Sequence, residues 1–168
     1  MPHPDTVESI GRALARHGYQ VGPESIGGRA VVVGRRSDFR LRWMAARLHT
    51  FVVVTRFDEG GAGPDTAGLD AFLDASCRYA VGHKQGLPRG LQTGTAAVAV
   101  AVVDRAGPDA LAWADHSHGS RFAAITYPVT VEAATGRVVH PPRKVVGAVF
   151  NGHLKAVAEE IVAPAVRA

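Results

Sequence analysis

The sequence predicts an α+β domain in which N-terminal, central and C-terminal helices pack on an antiparallel sheet of about five to six strands. Helical periodicity appears near both ends and in the middle of the chain, and the strand candidates fall in runs between those segments. The connections within the first run are too short for parallel crossovers. With 168 residues, 46% of them hydrophobic and 20% charged, the chain reads as one domain over 1–168, able to bury a core without staples.

Each element has a local reason. In "PDTVESIGRALARHG", Asp5 or Thr6 caps a helix that places Val7, Ile10 and Leu14 on one face, and Gly18 stops it. "YQV" and the turn-rich "GPESIGG" lead to three strand candidates, "RAVVVGR", "DFRLRWMA" and "HTFVVVTRF". The turns between them are expected at "RSD" and "AARLH". In the second strand Phe39, Leu41 and Trp43 alternate with Arg40 and Arg42, the period of one buried and one wet face. "DEGGAGPD" is a loop, after which Asp65 or Thr66 caps a helix with Leu69, Phe72, Leu73, Ser76, Cys77 and Ala80 on one face. In "TAAVAVAVVD" the residues between Thr95 and Asp104 are apolar on both alternating faces, as a strand covered on both sides requires. Pro108 introduces a short helix in "GPDALAWAD". "SRFAAITYPVTVEAATGRVVHPP" reads as two strands joined by a turn at 134–136, with Pro128 marking an edge or a bulge. The last helix places Val146, Val149, Phe150, Leu154, Val157 and Ile161 at helical spacing, and Gly147 and Gly152 weaken it, so packing must support it.

The single cysteine, Cys77, excludes an internal disulfide, and it reads as a small core residue. The start "MPHPDTVESI" lacks the basic-then-apolar layout of a signal peptide, which gives an expectation of a cytoplasmic protein. No apolar run approaches the roughly 20 residues of a membrane-spanning helix, so no membrane association is expected.

The net charge of +4 is unevenly spread. From Arg29 to Arg56 seven arginines face one acid, Asp38, so this segment carries +6 and the remainder −2. Arg35, Arg36, Arg40, Arg42 and Arg47 are the candidate contacts for an acidic protein partner. Phosphate contact with nucleic acid is the less favoured use of the same strands, because the aromatic residues alternate away from the arginines and so cannot stack on bases.

Two other groups are candidates for a small-ligand or enzymatic site in the loops at 83–90 and 115–118. His83, Lys84 and Arg89 stand on the Gly/Pro-rich stretch "HKQGLPRGLQTGT", which could hold an anion. It fits neither phosphate-loop pattern, because a strand and not a helix follows its glycines. Asp115, His116 and His118 are the candidate metal ligands, with His83, His140 or His153 as a further donor. No nucleophile elbow or paired-carboxylate motif stands out and no cofactor signature is present, which leans away from an enzyme. His17 and His153 lie beside apolar helical faces, where a hydrogen-bonded structural histidine is the commoner case.

"KQGLPRGLQTG" before an apolar strand, with "RFAAITYPVTVEAATG" further on, resembles small bacterial proteins without assigned activity. The element order is similar to the type III secretion chaperone-like fold, which implies binding of a partner polypeptide and a homodimer; the additional strand and "GPDALAWAD" depart from it. The expectation is therefore a non-enzymatic, chaperone-like protein-binding module.

Overall fold

A computed structural model describes residues 5–43, 45–57, 63–84, 93–116, 119–142 and 148–168. Helix α1 (Thr6–Arg16) is capped by the Asp5 carboxylate, which accepts from Val7 N at 3.1 Å, and it ends where Gly18 turns left-handed. Strands β1 (Gln20–Ile26) and β2 (Arg29–Arg40) form a hairpin through Gly27 and Gly28, both at positive φ as a tight two-residue turn needs. A 3₁₀ turn at Leu41–Trp43 leads to β3 (Ala46–Arg56). Helix α2 (Thr66–His83), capped by Asp65 to Gly68 N at 2.8 Å, crosses to β4 (Thr93–Val103). Helix α3 (Pro108–Asp115) crosses to the short β5 (Ser120–Arg121) and its hairpin partner β6 (Ala124–Glu132), and β7 (Arg137–Val139) folds back on β6. A continuous helical stretch closes the chain: α4 (Asn151–Ala156), a π-helical segment (Val157–Val162) and α5 (Ala163–Arg167).

The architecture is α+β, as the pattern predicts, with helices on both faces of a seven-stranded mixed sheet in the order β1-β2-β3-β4-β6-β5, β7 also pairing with β6. The β1–β2, β2–β3, β5–β6 and β6–β7 pairings are antiparallel. At the centre β3, β4 and β6 run parallel, because α2 and α3 are long enough to return the chain to the same end. The all-Ala/Val run of β4 suits this place: Ala96, Val98 and Val100 face one apolar layer, and Ala97, Ala99 and Ala101 face the other. One layer is made with α1 and the C-terminal helices, the other with α2 and α3, where Cys77 is fully buried. Pro128 falls between the stretches of β6 that pair with β5 and β7, so the donor it lacks costs no ladder bond there.

Several boundaries differ from the sequence reading. "GPESI" is strand and the following glycines are its turn; "RSD" continues β2; the expected strand "DFRLRWMA" breaks at Leu41, where the chain turns. The alternation of buried aromatics and wet arginines fails with it: Trp43 is buried, but Phe39 and Leu41 are exposed. The last helix carries a π-helical segment just before Pro164. Proline offers no N–H and its ring would press on the Glu160 carbonyl, and the wider π turn relieves both conflicts. Among the described residues no helix is long and apolar enough to cross a membrane.

Candidate functional site

The strands give the sheet two distinct ends. The foot is where β3, β4 and β6 begin and the β2–β3 turn lies; the head is where those strands finish. Past the final β1 pairing, Gln20 with Arg35, β2 runs on with β3 alone, so residues 36–43 and 45–46 form an arm reaching the foot.

The five arginines proposed from sequence occupy this region but divide between the faces. Arg35 lies toward α2, donating to Glu24 at 3.0 Å and to the Tyr79 hydroxyl at 2.8 Å. Arg36 lies on the opposite face: it grips Asp38 Oδ1 at 3.0 and 2.7 Å, donates to the His17 carbonyl at 2.7 Å and lies 5.5 Å from the Tyr19 ring centroid. Arg40 sits 5.0 Å from the centroid of the Trp43 ring. Arg42 is exposed on the 3₁₀ turn, and Arg47 donates to Ser37 Oγ at 3.2 Å. Arg35 and Arg36 are thus paired with carboxylates, whereas Arg40, Arg42 and Arg47 have none among the described residues.

The foot also brings together residues that sequence reasoning kept apart. Lys84 follows the last turn of α2, and its charge, like that of Arg47, acts on His49. Burial first, and then repulsion from Arg47 and Lys84, holds the His49 imidazole below its ordinary range, so it is neutral near pH 7. His83 stacks on Tyr79 at 3.8 Å between centroids and bonds the Tyr79 carbonyl at 2.8 Å. Arg89 lies outside the described residues. Asp115 and His116 end α3, also at the foot, and His116 Nδ1 bonds the Ala112 carbonyl; His118 lies outside the described residues. Neither the 83–84 nor the 115–116 segment lines either of the two clefts described below. No group of three His, Cys, Asp or Glu side chains placed to hold a metal occurs among the described residues.

Behind the arm, on the α1 face, is a polar cluster that the sequence did not reveal. His153, buried on α4, puts Nε2 3.2 Å from Thr50 Oγ1 and 3.8 Å from Asp38 Oδ2, the latter too long for a hydrogen bond. Burial lowers the His153 pKa, Asp38 offsets this in part, and Arg40, Arg36 and Arg42 lower it further. Burial pushes the Tyr19 hydroxyl up to about 12, with Arg36 opposing and Asp38 adding. A cleft of about 160 Å³ opens here between His17, Tyr19, Arg36, Arg40, His153 and Glu160. A second, of about 370 Å³, lies across the C-terminal helix beside Val138, His140, Glu159 and Arg167. There His140 bridges the Tyr127 hydroxyl at 3.0 Å and Glu159 at 3.3 Å, a satisfied pair of contacts and not a metal donor set.

Exposed apolar groups gather at the foot as well. Phe39 is 48% exposed and Leu41 80% at the arm, Phe122 47% at the β5–β6 turn, and Val149 50% next to Phe150, which packs on Trp43. Phe122 and Ala123 both adopt positive φ, a conformation L-residues take at a cost, and the Arg78 guanidinium lies 4.4 Å from the centroid of the Phe122 ring. Of the large exposed hydrophobic side chains among the described residues, Val21 alone lies away from this end. No known family model matches the chain, and no curated protein or solved structure is significantly similar to it.

Proposed function

We propose that the protein is a non-enzymatic binding module whose foot docks an acidic, partly apolar polypeptide segment. The observation that carries this reading is the coincidence, at one end of the sheet, of Arg40, Arg42, Arg47 and Lys84 without carboxylate partners among the described residues and of exposed Phe39, Leu41, Phe122 and Val149. Cations give electrostatic complementarity and encounter rate, while apolar groups supply the area that holds a complex. A partner alternating Glu or Asp with Leu or Phe meets both demands.

The direct test is fluorescence anisotropy with a labelled peptide of alternating Glu and Leu, comparing the native protein with the Arg40→Glu, Arg42→Glu double variant. Losing two attractive contacts and gaining two repulsive ones should weaken binding by about 30-fold or more at moderate salt. Unchanged affinity in a folded double variant would remove the reading.

Nucleic-acid binding is a second reading, and the exposure of Phe39 beside the arginines favours it, because a ring free of the core can stack on a base. An oligonucleotide bound more tightly than the peptide, with affinity falling steeply as salt rises, would transfer the function to that class.

A further inference from the structure

Past the end of α2, the sheet face turned toward that helix finishes in two cross-strand rows. One holds Ser37, His49 and Thr95, and the next holds Phe39, Arg47 and Thr93. In the first row the polar groups replace the apolar ones found further up the same face, such as Phe51 and Ala97. Arg47 is half-buried here, and its Nε and the Nε2 of His49 have no hydrogen-bond partner. The charges that act on His49 are the two cations Arg47, on its own strand, and Lys84, just past α2; its cross-strand neighbours Ser37 and Thr95 are neutral.

Lys84 has a reason to be there without a ligand, since a cation is favourable at the carbonyl end of a helix. Arg47 has no such reason. It comes from β3, lies against a sheet face beside a second cation, and finds a serine hydroxyl where an arginine would ordinarily find a carboxylate. Two like charges around a neutral imidazole raise the free energy of the folded state, and an anion seated among them lowers it.

We propose that Arg47, Lys84 and Ser37, arranged around His49, form a binding site for a phosphate-class oxyanion, a phosphomonoester in its dianionic form. Donors from three places, β2, β3 and just past α2, suit an anion with three peripheral oxygens better than a planar carboxylate, which one guanidinium edge satisfies. The phosphomonoester can belong to a free small molecule or to a phosphorylated side chain of a docked segment, and in the second case the proposal rests on the docking reading above.

The test uses inorganic phosphate as its probe on the full chain, by calorimetry at constant ionic strength with acetate as the competing anion, and by NMR of the histidine rings. Phosphate should bind about tenfold or more tightly than acetate, and Lys84→Gln and Arg47→Gln should each weaken it by about tenfold. The His49 ring should titrate at higher pH with phosphate present, because an adjacent anion stabilises the imidazolium. Lys84 is exposed, so its variant stays informative if Arg47→Gln impairs folding. Phosphate no tighter than acetate, Lys84→Gln without effect, or a His49 titration unmoved by phosphate would each overturn the proposal. Glycerol phosphate binding as tightly as a phosphoserine peptide assigns the site to a small molecule, and a clear preference for the peptide assigns it to a docked segment. Because the probe contains no peptide, failure here leaves the Arg40 and Arg42 experiment untouched, and the reverse holds as well.

Discussion

Trp43 anchors the arm to the body of the protein, and replacing it should affect both stability and binding. The ring is 3% exposed at the root of the β2–β3 turn. It meets Phe150 edge-on at 5.1 Å and His153 at 5.4 Å, and the Arg40 guanidinium lies 5.0 Å from its centroid. Truncating a buried tryptophan to alanine costs about 3–5 kcal/mol, of which each edge contact contributes about 0.5–1.5 and the cation–π contact about 0.5–1. For a chain of this size the expected loss in Tm is roughly 6–20 °C. Trp43→Phe, which keeps an aromatic ring in the pocket, should cost about 1–2 kcal/mol. Urea unfolding followed by far-UV circular dichroism is the appropriate assay, because the substitution removes one of only two tryptophan fluorophores. The same Trp43→Ala variant, assayed where it is still folded, should bind the acidic peptide more weakly although every arginine remains, since an arm without its anchor must be ordered on binding. A stability loss under about 1 kcal/mol would refute the anchoring argument, because a cavity the size of an indole cannot cost so little in a packed site.

Three further outcomes follow from the same geometry. His49 and His153 both have pKa values lowered below the ordinary 6.5, so the unfolded chain takes up protons that the native state does not. Their contribution is complete above the unfolded pKa and is lost as pH falls from there toward the folded values; His153→Gln should flatten the drop in urea midpoint over that window, and a midpoint that rises on acidification would contradict the assignment. Ala123 holds φ at 64°, so Ala123→Gly should raise stability by about 0.5 kcal/mol after glycine's own entropy cost, read as a higher Tm, and a fall would mean that side-chain packing and not the backbone sets the turn. Cys77 is fully buried, so a thiol reagent should modify it only at the rate of unfolding, and Cys77→Ser should cost about 1–3 kcal/mol by burying a hydroxyl; rapid labelling of the native protein would show an opening that the packing does not contain.

How legible each part was depended on whether its cause is local. The caps, resolved to Asp5 over Thr6 and Asp65 over Thr66, the apolar faces of α1 and α2, and the two-sided burial of β4 are all written in neighbouring residues. Strand β1 was hidden because Gly22 and Pro23 look like loop, whereas an edge strand tolerates both. "RSD" resembles a turn, but pairing along the whole of β3 overrides that local preference. The foot was only half legible. Arg47 and His49 stand two apart on a strand and therefore share a face, a signal available in the sequence; that the charge of Lys84 reaches His49 depends on the length of α2 and on β4 pairing parallel to β3. The cluster of Tyr19, Asp38, Thr50 and His153 joins both ends of the chain, and no local pattern could have announced it.

The contrast between the two ends of the sheet is the reason the docking proposal is placed at the foot. In sheets with parallel strands, ligands usually gather at the carboxyl ends of the strands, which here means the head. At the head, Arg56 and Glu132 are answered from within the protein, while Arg105 and Arg137 act on Glu132 without forming an ion pair among the described residues. Arg56 pairs with Asp104 at 2.5 Å and lies 3.8 Å from Asp5. Glu132 accepts from the Thr135 hydroxyl at 2.7 Å and from Ala106 N at 3.1 Å, and these bonds, in that order, hold its carboxyl below the usual range. At the foot the balance is reversed: four cations have no carboxylate among the described residues, apolar side chains stand in solvent, and the turn bearing Phe122 is held in a costly conformation. Unpaired charge, exposed apolar area and backbone strain each cost folding free energy, and what sets the foot apart is that all three occur together there. Binding of a partner at the foot would offset these costs, which is the physical ground for the docking proposal.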